Sequence, residues 1–130
     1  MTLTTTSKLS LETIKLAMEE KAKKHGFGLL KSYEFNNMLK EKGFELERKI
    51  TVFELCNPAT AQVVLEEFPE LSVYLPCRIS VYEDSGLTTL ATIGLDEIMK
   101  NSDVSTQEQG LGELMRTTFD RLKSLMNDWE

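Results

Sequence analysis

The sequence predicts an α+β fold, and three observations lead there. Apolar positions recur at the helical period in segments beginning near Ser10, Asn57 and Gly112. Residues 27–35, 50–56 and 77–93 alternate as strands do. Asp84-Ser85-Gly86 is a tight turn that folds two of those strands antiparallel, Gly supplying the positive φ. At 130 residues the chain suits one core. The expected division is therefore a single domain over 1–130, with a core over 10–95 and a C-terminal helix over about 111–129.

Taken in order, Thr2 to Thr6 suits a short first strand, since Thr and Leu fit a pleated surface. Ser10 caps a helix, with Thr13 where a full capping box has an acid, and Leu11, Ile14, Ala17, Met18 and Ala22 form its apolar stripe. Lys24-His25-Gly26 ends it, Gly26 serving as the left-handed cap. Phe27 to Phe35 is the next strand, with Phe27, Leu29, Lys31, Tyr33 and Phe35 on one face. Asn36 or Asn37 caps one turn through Met38-Leu39-Lys40, closed by Gly43, and Glu45 to Arg48 is polar loop.

Ile50 to Cys56 is apolar on both faces, which predicts a central strand. Asn57-Pro58 is an N-cap followed by a first-turn proline, and Ala61, Val64, Leu65 and Phe68 give the helix its stripe up to Pro69. Glu70 to Leu75 reads as extended. Pro76 lacks a ladder donor, so the next strand starts at Cys77, with Cys77, Ile79 and Val81 sharing a face. Beyond the turn, Leu87 to Ile93 returns, which puts Arg78, Ser80, Tyr82, Thr88, Leu90 and Thr92 on the hairpin's outward face. Asp96 to Lys100 forms a helical turn, Asn101 to Gly110 a polar linker, and the last helix runs to Trp129 with a wide apolar stripe.

Composition narrows function by exclusion. Hydrophobic content of 41% and charged content of 28% are ordinary for globular chains, which argues against disorder or a fibre. A net charge of -6 lacks the clustered Lys and Arg that grip phosphate backbones, so no nucleic-acid partner is expected. No apolar run approaches the roughly 18 residues of a membrane span, and the Thr-rich start does not read as a signal peptide. The expected location is cytoplasmic, where the two cysteines remain free thiols.

Cys56-Asn57-Pro58, and Leu75-Pro76-Cys77-Arg78 running into Ile79-Ser80-Val81-Tyr82-Glu83, resemble the signature of the bacterial and archaeal family called domain of unknown function 302. Their spacing fits, as does Gly26-Phe27 after the first helix, and the resemblance spans about Ser10 to Leu95. It implies helices lying on an antiparallel sheet, a grouping with TATA-binding-protein-like folds, and a tendency to dimerise. It implies no activity, substrate or cofactor. Leu95 stands where the family more often has a proline.

Candidate chemistry centres on the two corners. Cys56 immediately precedes an N-cap, where a helix dipole favours thiolate. It also alternates onto the face of Ile50 and Val52, where it reads as a small core residue. Cys77 sits beside Arg78, but neighbouring strand residues point oppositely, so Cys77 reads as core. Whether the sulfurs meet depends on how the chain returns between them. Zinc is not expected, because no second His or close Cys pair completes a site. His25 before Gly26 reads as a helix-end cation rather than a general base.

The outward hairpin face is semi-apolar, so a cover is expected: the last helix, a second subunit or a ligand. Arg78 and Tyr82, two positions apart on that face, can hold an anion. The leading expectation is a homodimeric module that binds a protein or a small ligand, an anionic one first, with Arg78, Tyr82, Asn57 and Pro76 lining its site. No catalytic constellation, cofactor motif or metal set points to an enzyme. The alternative is a sulfur carrier or redox protein using Cys56 and Cys77.

Overall fold

The structure, a computed structural model, describes residues 2–100 and 110–130. Its elements are β1 (Thr2–Ser7), α1 (Leu11–Lys24), β2 (Gly28–Glu34), α2 (Phe35–Glu41), β3 (Ile50–Cys56), α3 (Pro58–Glu67), a 3₁₀ helix (Pro69–Tyr74), β4 (Cys77–Asp84), β5 (Leu87–Ile93), α4 (Leu95–Lys100) and α5 (Leu111–Met126). Among these residues the strands form one sheet in the order β1-β5-β4-β3-β2, antiparallel at every step.

Helices cover one face of that sheet. Ile14, Met18 and Ala22 of α1, Phe53 and Leu55 of β3, Ile79 and Val81 of β4, Leu90 of β5, and Leu122 and Leu125 of α5 are buried in a single core. The stripe that periodicity assigns to the last helix is the stripe it buries. At the start of α1, Ser10 Oγ accepts from the Thr13 amide at 3.1 Å, and Gly26 takes φ 90° just past its end. Among the described residues the other sheet face, with Thr2, Thr4, Thr6 and Ile93 exposed, is largely open and is bordered by Phe35 and Met38 of α2.

Several expectations are corrected. The strand at Phe27–Phe35 is shorter and slips register between Leu29 and Lys31. A bulge flips alternation. Leu29 therefore stands opposite Leu55 on the helix side, while Lys31 and Tyr33 stand opposite Glu54 and Val52 on the open side. Phe35 opens α2, and Asn36 caps nothing: its side chain bridges the Leu46 and Arg48 carbonyls and the Ile50 amide, pinning the loop.

Residues 69–74 are helical rather than extended. Pro69 presets the first-turn φ, and Leu71, fully buried, anchors the segment. The hairpin turn holds two residues between paired positions, Ser85 and Gly86, with φ 52° and 83°. That count sets Val81 opposite Leu90 and Ser80 opposite Ala91. Thr88, Leu90 and Thr92 consequently face inward and are buried, and Thr89, Ala91 and Ile93 share the open face with Arg78, Ser80 and Tyr82. The last helix covers the inward face, not this one. Most of the linker expected over 101–110 lies outside the described residues.

The C-terminus is clasped onto α1. Ser7 Oγ donates to the Trp129 carbonyl at 2.5 Å, Lys21 Nζ sits 4.5 Å from the Trp129 ring centre, and Lys21 also reaches the Asp128 carbonyl. His25 Nε2 lies 2.9 Å from Asp128 Oδ2. No described helix is long and apolar enough to cross a membrane.

Candidate functional site

β3 leaves the sheet where β4 enters it. The antiparallel pairing puts Leu55 opposite Cys77, so the Cys56-Asn57-Pro58 and Leu75-Pro76-Cys77 corners lie side by side at one sheet end. The Leu75-Pro76 peptide bond is cis. Between them the chain makes α3 and the 3₁₀ helix, which return it to the same end. Both thiols are free and stand on neighbouring strands, Cys77 buried and Cys56 half-buried.

A cavity of about 240 Å³ opens beside these corners. Leu55 and Cys77 form its sheet wall, Val64 and Ala61 its α3 wall, Leu71 and Tyr74 the 3₁₀ wall, and Met115 and Phe119 the α5 wall. Asn57, Pro76 and Cys56 border it. Two of its hydroxyls and its amide are engaged with protein: Thr60 Oγ1 lies 2.7 Å from Thr118 Oγ1, which also bonds the Leu114 carbonyl. Asn57 accepts from the Thr60 amide at 3.1 Å and donates to the Gly26 carbonyl at 3.2 Å. Burial, and then the neighbouring Cys56, push the Cys77 thiol up to about 11, so it is neutral at physiological pH.

Arg78 and Tyr82 lie on the opposite, open face. Arg78 Nη2 and Nε reach Glu54 Oε2 at 3.1 and 3.2 Å, and Tyr33 donates its hydroxyl to Glu54 Oε1 at 2.8 Å. Glu54 thereby holds the Tyr33 phenol above its ordinary range. The four expected ligand residues are thus divided: Asn57 and Pro76 at the cavity, Arg78 and Tyr82 across the sheet. Sequence reasoning missed Glu54, whose link to Arg78 follows only once β3 and β4 are paired, and Thr60 and Thr118, which meet only when α3 packs on α5. Among the described residues no group of three His, Cys, Asp or Glu side chains could hold a metal ion.

Fold and site together define a small α+β domain with one helix-covered sheet face and a cavity at the sheet end. The chain belongs to the family described as Domain of unknown function DUF302, whose model matches residues 3–128. It is similar to the solved structure titled as an uncharacterized conserved DUF302 protein from Bacillus stearothermophilus, at 26% identity and a TM-score of 0.82, over 97% of this chain and 95% of that one. A comparison with curated proteins finds no match.

Proposed function

We propose that this chain is a cytoplasmic small-ligand binding module that works as a homodimer, with its site in the cavity between the two corners. The observation that carries this reading is the convergence itself. Asn57 and Pro76, singled out separately by sequence, border one cavity against the core. Arg78, the expected anion contact, already has Glu54 as its counter-ion, so an anion on that face competes with a carboxylate. For the dimer, the support is the open sheet face with Val52, Ala91 and Ile93 on it. Five strands of about seven residues give roughly 550 Å² before the rim is added, against about 800 Å² per partner in a standard interface.

Native mass spectrometry of protein purified from its own source tests both parts. A mass of two chains plus retained small molecule is expected. A bare monomer at micromolar concentration sinks the proposal.

A second reading, sulfur carriage or redox sensing, has one observation in its favour: Cys56 and Cys77 stand on adjacent strands beside the same cavity. With Cys77 neutral, Cys56 would be the nucleophile. Alkylation rates against pH decide it, and a Cys56 no faster than a model thiol ends it.

A further inference from the structure

We propose that the cavity's ligand is a small, uncharged, apolar molecule, an inference that rests on the binding-module reading and adds the ligand's class. No Asp, Glu, Lys, Arg or His lines the cavity among the described residues. Of the polar side chains on its lining, Thr60, Thr118 and Asn57 are partnered within the protein, and the Ser72 and Tyr74 hydroxyls and the two thiols carry no charge. Thr60 and Thr118 bond each other, and the Asn57 amide is divided between the Thr60 amide and the Gly26 carbonyl. The wall therefore offers a charged ligand no counter-ion, and burying an unpaired charge there costs far more than the site returns. Cys77 stays protonated for the same reason: the space around it disfavours charge.

Size narrows the class further. An apolar cavity of about 150 Å³ stays dry and accepts benzene, so about 240 Å³ admits roughly nine or ten carbon-sized atoms by proportion. A monocyclic aromatic or a short alkyl chain fits. Leu30, 60% exposed and also on the lining, gives the cavity a rim at the sheet edge through which such a molecule enters.

The probes are benzene and benzoate, equal in ring and different in charge, titrated into the full chain while methyl resonances are followed by NMR. Benzene is expected to shift the Val64, Leu71 and Ile98 methyls saturably and to show NOEs to them; benzoate at equal concentration leaves them unmoved. Ala61→Phe, which places a ring in the space from α3, should abolish the benzene shifts. Should that variant fail to fold, the wild-type NOEs still locate the probe. Benzoate shifting the same methyls as strongly as benzene overturns the apolar class and leaves the module standing. Neither probe shifting them also overturns it, and a charged molecule retained in the native mass spectrum would then show that the broader reading survives without this one.

Discussion

Thr60 on α3 and Thr118 on α5 place their hydroxyls 2.7 Å apart, which ties the outer wall of the cavity to the helix that closes the core. Thr118 is buried and also bonds the Leu114 carbonyl, so its hydroxyl is satisfied twice. Replacing Thr118 with Val keeps the shape and leaves the Thr60 hydroxyl without this partner. The expected loss is about 1–2 kcal/mol in urea unfolding. The double variant Thr60→Val with Thr118→Val should lose less than the two singles summed, because no orphaned hydroxyl remains. Strict additivity would show that the pair is not formed.

Cys77 sets a limit on stability at alkaline pH. Its thiol is raised from 9.0 to about 11 by burial and by Cys56, so between those values the unfolded chain releases a proton that the folded chain keeps. Stability from this group is complete below pH 9 and declines as pH rises towards 11, by about 2–3 kcal/mol in all. Tyr33, also raised, adds a decline of its own above pH 10. Comparing wild type with Cys77→Ala isolates the thiol: the variant's unfolding free energy should fall less between pH 8.5 and 10.5. Equal slopes in the two proteins would place Cys77 in contact with water.

Trp129 is the chain's single tryptophan and reports directly on the clasp between the C-terminus and α1. The hydrogen bond from His25, with the Lys21 ammonium nearby, holds the Asp128 carboxyl below its ordinary 3.8. A carboxylate depressed in the folded state stabilises above its unfolded value and loses that contribution as pH falls through the folded one. The Trp129 emission maximum should therefore hold down to pH 4 and move red only under stronger acid. In Asp128→Ala the ring should be more accessible to acrylamide at pH 7. Unchanged quenching would mean that Ser7 and Lys21 hold the ring alone.

What the sequence made readable follows from what is local. Ser10 and Asn57 cap their helices through atoms three residues away, and the stripe of α5 is a property of one segment. The misses are those that depend on a partner. The slip between Leu29 and Lys31 exists only against β3, and Leu71 holds the 3₁₀ helix only because a core lies beneath it. For the site, the sequence supplied both corners but not the face of Arg78 relative to Asn57. That relation requires the pairing of Glu54 with Arg78 and of Leu55 with Cys77.

The hairpin offers the sharpest test of facing, since a one-residue slip exchanges every side chain between core and surface. Counting Ser85 and Gly86 as the whole turn puts Leu90 against Val81 in the core, fully buried, and Thr89 beside Tyr82 on the open side. Leu90→Lys removes a core side chain and buries an unpaired ammonium, and should cost more than about 3 kcal/mol or prevent folding. Thr89→Lys points the same charge out of the core and, with the protein dilute enough to be monomeric, should change stability by no more than about 0.5 kcal/mol. The two variants place the same ammonium one position apart, so thermal unfolding of the pair reads which of the two positions faces the core. If Thr89→Lys were the damaging one, β5 would be turned over, and Leu90 rather than Thr89 would share the open face with Arg78 and Tyr82.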